Sequence, residues 1–282
     1  MKTTISNDVL SAAVAAVRSQ RPLVHNITNY VVMNNSANAL LAIGASPVMA
    51  HWEDEMEEMT AIAGALVINI GTLDNRWLSG MKAAGVAASR RGTPIVLDPV
   101  GAGATSQRTA AVVELIELCR PTIIRGNGSE IMTVASAWSR HLGSSGQDGE
   151  ESAKSKGVDS SCSSHDAVNS AVKLAERTGA VVVISGETDY ITDGKRIETI
   201  SNGSPMMPYV TAMGCTASSM VGAFAAVNPS NLLEASLHAM ALMGVAGEIA
   251  AAKSAGPGSL LTNFVDTLYN ITEEELAETV RQ

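Results

Sequence analysis

Aromatic residues are scarce in this chain: three Trp, four Tyr and two Phe, 3% of 282 residues. The core must therefore be packed from Ala, Val, Ile, Leu and Met, a set that suits buried parallel strands and closely packed helices. Trp52, Trp77 and Trp138 read as packing or interface residues and not as a platform for stacked bases. Positive charge is also short. Lys and Arg total 19 against 28 Asp and Glu, a net charge of −9, which argues against a nucleic-acid footprint or a polybasic membrane anchor. An anionic ligand stays open, because helix N-termini and a few arginines can hold phosphate in an acidic protein. Cys119, Cys162 and Cys215 form no CxxC or Cys/His metal spacing, and their odd number fits a reducing cytoplasm. The apolar run 235–252 is broken by His238, Gly244, Gly247 and Glu248, so no transmembrane span is expected. The N-terminal stretch lacks the long apolar segment of a secretory signal and reads as an amphipathic helix capped by Asn7 or Asp8. Internal repeats are absent, and no GxGxxG follows the first strand, which disfavours a dinucleotide-binding dehydrogenase.

What is present is a rhythm. Short β-rich runs at 46–50, 65–71, 93–101, 121–127 and 180–186 alternate with Ala-rich helical stretches at 29–44, 51–63, 75–91, 105–119, 129–140 and 165–178. Several strands show no polar alternation, so both their faces are expected to be covered. Strand and helix in alternation predict one α/β domain over 1–282, with a mostly parallel central sheet and helices on both faces. A hairpin around "TDG" (192–194) adds antiparallel edge strands. Helices follow at 215–227, 231–253 and about 258–270, the second capped by Ser230 or Asn231, before an acidic tail. The Ser/Gly-rich segment 143–164 reads as an exposed loop within the domain.

In such sheets ligands bind beyond the carboxyl ends of the strands. That rule collects Met49, Asn69 to Thr72, "DPVGAG" (98–103), "RGNGSE" (125–130) and "SGETD" (185–189) on one rim. Asp98 either caps the helix near Thr105 or faces a metal–phosphate complex. Arg125, Asn127 and Glu130 are either a solvated loop or a group in which Glu130 orders water around Mg²⁺ and Arg125 pairs with nucleotide phosphate. "AMGC" (212–215) precedes a helix, so its backbone N–H groups would face a phosphoryl group, with Gly214 giving access. Close helix packing through small residues is the plainer alternative. Cys215 reads as a small buried hydrophobe, or as a thiol whose pKa the helix start lowers. His25 is more simply a structural histidine bonded to backbone than a catalytic one. Met33, Met49 and Met56 could line a flat heteroaromatic ligand, with core filling the default reading for Met33.

"NGSE" (127–130) is similar to the N-x-x-E signature of ribokinase-like kinases. "TAMGC" (211–215) resembles their G-A-G-D anion-hole motif, with Cys215 in place of Asp and Ala212 in place of Gly. Together with "LVHNITNYVVMNNSANALLAIGASPVMA" (23–50) and "DPVGAGAT" (98–105), nearly the whole chain resembles the hydroxyethylthiazole kinase family. The resemblance implies a single ribokinase-like α/β domain without a lid. It implies phosphorylation of 4-methyl-5-(2-hydroxyethyl)thiazole by ATP with Mg²⁺, in thiamine salvage, by a homotrimer with active sites at subunit interfaces. It also implies roles: Asn26, Met49 and the backbone at Ala212 for the thiazole; Arg125, Ser185 and Asn127 for ATP; Asp98 and Glu130 for the metal. Gly214 and Cys215 would form the catalytic centre. The rival readings are another small-alcohol kinase, which would normally keep Asp at Cys215, an ATP-dependent dehydratase of hydrated nicotinamide cofactors, and a non-catalytic nucleotide-binding subunit.

Overall fold

Eight strands form one sheet in the computed structural model, which describes residues 7–143 and 165–281. In spatial order they are β2 (Ser46–Val48), β1 (Leu23–Ile27), β3 (Ala65–Asn69), β4 (Ile95–Asp98), β5 (Ile123–Asn127), β6 (Val181–Ser185), β7 (Asp189–Thr192) and β8 (Ile197–Ile200). The first six run parallel, and β7 and β8 pair antiparallel as the expected hairpin edge. Asp193 closes the hairpin turn by accepting the N–H groups of Lys195 and Arg196.

Successive strand side chains point to opposite faces, and here both faces are apolar. Val67, Val96 and Ile123 enter one core, while Leu66, Ile68, Ile95, Leu97 and Ile124 enter the other. The first core is completed by α1 (Asn7–Gln20), α2 (Met33–Ala42), α8 (Met213–Val227), α9 (Leu232–Ala252), α10 (Pro257–Asn270) and α11 (Glu273–Thr279). The second is completed by α3 (Met56–Ile62), α4 (Asn75–Arg91), α5 (Ser106–Cys119), α6 (Gly128–His141) and α7 (Val168–Thr178). Among the described residues α9 alone is long and apolar enough to cross a membrane, and 78% of that apolar window is buried inside the protein.

Several sequence expectations change. Strand β1 was not anticipated, because its His25 and Asn26 break the apolar run although both are fully buried. The helix expected over 51–63 is a 3-10 turn at Glu53–Glu55 followed by the short α3. Asp98 does not cap the next helix: Thr105 does, accepting the Arg108 N–H at 3.2 Å. Asn231 caps α9, and the acidic tail folds as α11 behind a Thr272/Glu275 capping box. Apart from Gly143, the expected loop 143–164 lies outside the described residues, as does Cys162.

Candidate functional site

Parallel pairing brings the strand ends to one rim. Register sets Asn69 beside Asp98 across β3 and β4, and Asn127 beside Ser185 across β5 and β6. Helix α8 begins over the same rim. Ala212, its N-cap, holds φ at 78°, a left-handed conformation that costs an L-residue about 1–2 kcal/mol. The first backbone bond of α8 runs from Thr216 N–H to Ala212 C=O at 2.8 Å. The N–H groups of Met213, Gly214 and Cys215 precede it, at the positive end of the helix and without a side-chain cap. The helix thus starts two residues before the expected position. Gly214 is exposed, and a Cβ there would stand 3.3 Å from Arg125 Nη1.

Arg125 ties the rim together. It is 7% exposed, and it donates from Nη1 to Gly214 C=O at 2.8 Å and from Nη2 to Ser185 Oγ at 2.7 Å. Its Nη1 also stands 4.0 Å from Asp98 Oδ2, while its Nε has no partner among the described residues. Asp98 is almost fully buried and accepts at Oδ2 from Asn69 Nδ2 at 2.9 Å and from Ser218 Oγ at 2.7 Å. Burial raises its pKa, while Arg125, Ser218 and Asn69 act in the opposite sense.

Asn127 and Glu130 form the capping box of α6: Glu130 N–H donates to Asn127 Oδ1, and Glu130 Oε2 accepts the Asn127 N–H at 2.9 Å. The other Glu130 oxygen accepts the Gly101 N–H at 2.8 Å, which draws the "DPVGAG" turn against α6. Burial, and then repulsion from Asp98, push the Glu130 carboxyl up to about 7. Asp98 at the end of β4 and Glu130 in the first turn of α6 thus form a buried pair of acids in the field of Arg125.

Of the two sequence readings of Cys215, the thiol of lowered pKa does not hold. Burial and the neighbouring Asp98 charge push the thiol up to about 12, outweighing Asn69, Arg125 and Asn29, which act to lower it. It is a thiol at neutral pH and not a helix-activated thiolate.

The remaining predicted residues lie under or beside this centre. Asn26 is fully buried, donating to Val24 C=O at 2.9 Å and accepting from Ser219 Oγ of α8 at 2.8 Å. Half-buried Met49 lies in the segment leaving β2. That segment is held by a 2.9 Å bond between His25 Nε2 and the Ala50 carbonyl. A carbonyl can only accept, so Nε2 carries the hydrogen. Burial lowers the His25 pKa, which favours this neutral, structural role. Asn29 and Ser218 were not anticipated. Asn29 bonds Asn69 Oδ1 at 2.9 Å and Cys215 Sγ at 3.5 Å. The signal available was faint: a second Asn in "HNITN", and a hydroxyl within the small-residue run "TASS".

Comparisons with known proteins place the chain among known relatives. Residues 14–274 match the model of the hydroxyethylthiazole kinase family. A hydroxyethylthiazole kinase of Syntrophus aciditrophicus is 53% identical over 270 residues, covering 96% of this chain and 95% of its own. One from Nitratidesulfovibrio vulgaris is 49% identical over 271 residues, covering 95% and 96%. A solved structure of the hydroxyethylthiazole kinase protein from Pyrococcus horikoshii superposes with a TM-score of 0.85 at 38% identity, covering 97% of this chain and 98% of that one.

Proposed function

The chain belongs to the hydroxyethylthiazole kinase family, and from that premise we propose how its residues carry the reaction. The enzyme transfers the γ-phosphoryl group of ATP to the hydroxyl of 4-methyl-5-(2-hydroxyethyl)thiazole, a step of thiamine salvage. Phosphoryl transfer needs alignment and charge stabilisation more than covalent chemistry by the protein. The observation that carries our reading is the open first turn of α8 set above buried Asp98 and Arg125. The N–H groups of Met213, Gly214 and Cys215 receive the moving phosphoryl group, each supplying a few kcal/mol of transition-state stabilisation. Arg125, with its spare Nε, and Ser185 and Asn127 at the β5–β6 edge, hold the nucleotide phosphates. Asn26, Met49 and the Ala212 backbone form the thiazole side, Asn26 from beneath through Ser219. Cys215 adjoins the accepting hydroxyl.

Asp98 and Glu130 fit Mg²⁺ held through water. Three of their oxygens already accept protein hydrogen bonds, and both pKa values are raised, so nearby positive charge favours their ionised forms. Mg²⁺ binds few carboxylates and keeps several waters. Among the described residues no cluster of three His, Cys, Asp or Glu could enclose it. When bound, it would neutralise charge on the ATP oxygens.

We also propose the homotrimer, with the thiazole side at the subunit contact. Tyr30, Val31 and Trp52 are 61–64% exposed and adjoin the segments carrying Asn29 and Met49, an apolar surface that suits burial against another copy. Reduced cysteines at Cys119 and Cys215 suit a cytoplasmic setting. The test is an ADP-release assay with and without the thiazole alcohol, adding Mg²⁺ last, beside light scattering for the assembly. Turnover that needs both alcohol and Mg²⁺, from a trimer, is expected. Turnover with a hydrated nicotinamide cofactor instead would overturn the reading.

A further inference from the structure

Two backbone amides fix the polarity of the hydrogen-bond chain beside Cys215. Gly71 N–H donates to Asn69 Oδ1 at 2.9 Å, and Val31 N–H donates to Asn29 Oδ1 at 3.1 Å. A backbone N–H can only donate, so both amide oxygens are acceptors and both Nδ2 groups face the other way, whatever the charge on Asp98. Asn69 Nδ2 donates to Asp98 Oδ2 at 2.9 Å. Asn29 Nδ2 donates to Asn69 Oδ1 at 2.9 Å and to Cys215 Sγ at 3.5 Å. The sulfur therefore accepts from the packed side, through Asn29. A thiol also carries one hydrogen, and a donor seated on the sulfur turns that S–H away from itself.

Gly71 supplies the space this arrangement needs. A Cβ there would stand 2.5 Å from Asn29 Nδ2 and 2.8 Å from its Cγ, which would force the amide off its partners. Asn29 and Asn69 are both buried, whereas Cys215 is half-buried and next to exposed Gly214. The S–H is left to point from the packed chain to the open mouth of α8.

We propose that Asn29 and Asn69 are positioning residues that aim the Cys215 S–H at the oxygen of the accepting hydroxyl. The proposal rests on the reading that Cys215 adjoins that hydroxyl. The thiol then donates to the alcohol oxygen and leaves another lone pair for attack on phosphorus. The alcohol's own proton leaves to an oxygen of the transferred phosphoryl group, and the sulfur takes no part in that transfer. Cys215 orients the nucleophile.

A double-mutant cycle tests this, using Asn29→Ala, Cys215→Ala and their combination, each checked for unchanged ATP binding and thermal melting. In the native background Asn29→Ala is expected to lower kcat about tenfold with little change in the KM for ATP, within the usual coupling of residues in contact. In the Cys215→Ala background the same change is expected to cost less than about twofold. Gly71→Ala, which keeps Asn29 but pushes its amide off its partners, should reproduce the Asn29→Ala defect. The infrared S–H stretch, isolated as the difference from Cys215→Ala, should shift in Asn29→Ala. Equal losses in both backgrounds, or an unmoved S–H band, would overturn the inference alone. If Cys215→Ala itself leaves turnover intact, the underlying reading of the site falls and takes the inference with it.

Discussion

Replacing Asp189 with Asn isolates the cost of burying a carboxylate on this rim. Asp189 opens β7, is 7% exposed, and accepts the Gly186 N–H at 3.0 Å. Burial raises its carboxyl from 3.8 to about 7, against the lowering effects of that N–H and of Arg125. At 1.36 kcal/mol per pKa unit, the gap corresponds to about 4 kcal/mol against the charged form. The folded state binds this proton more tightly than the unfolded chain does. Its contribution to stability is therefore full below the unfolded value near 3.8 and is lost as pH rises through about 7. Asn mimics the protonated acid and keeps an acceptor for Gly186. Urea denaturation across pH should accordingly give Asp189→Asn an advantage below about 1 kcal/mol at pH 4, growing to as much as about 4 kcal/mol at pH 8. Glu130 also sits near 7 but is present in both proteins, so it cancels from the difference. An advantage that does not change with pH, or a variant weaker than the parent at pH 8, would refute the reasoning.

Other perturbations read other parts of the site. Mass spectrometry of timed alkylation at pH 8 should find the Cys215 peptide labelled at least about tenfold more slowly than a free cysteine peptide, because burial and Asp98 keep the thiol protonated. Arg125→Met leaves Asp98 buried without its guanidinium neighbour and should lower stability by about 3–5 kcal/mol in denaturant titrations, in addition to weakening ATP binding in calorimetry. Gly214→Val puts branched bulk where even a Cβ would lie 3.3 Å from Arg125 Nη1, so kcat should fall at least about tenfold while the thermal midpoint moves little. His25→Leu removes the 2.9 Å tie to Ala50, and a raised KM for the thiazole alcohol with an unchanged KM for ATP is the expected outcome in initial-rate kinetics.

The fold was legible wherever burial is two-sided. Strands β3, β4 and β6 announce themselves as Val/Ile/Leu runs because each face meets its own core. β1 did not, since His25 and Asn26 carry polar atoms into the interior, where Ala50, Val24 and Ser219 satisfy them. Polar residues at strand ends were legible as a rim, and Asp98, Arg125 and Glu130 do gather there. Their partners were harder to foresee. Nothing local in the sequence says that Asn29 meets Asn69 forty residues away, or that Ser218 reaches Asp98 across 120. The lowered-pKa alternative for Cys215 fails for a related reason. Position at a helix start is a local property, whereas desolvation and the field of Asp98 exist only in the folded chain. Ala212 is the local exception, taking the left-handed conformation that the usual Gly of the motif would adopt more cheaply.

The most direct trial of the account is a crystal structure with a nonhydrolysable triphosphate and the thiazole alcohol bound together. The terminal phosphate is predicted to accept hydrogen bonds from the amides of Met213, Gly214 or Cys215, with the alcohol oxygen on its far side next to the thiol. A terminal phosphate seated away from those amides, with other atoms filling the mouth of α8, would contradict it.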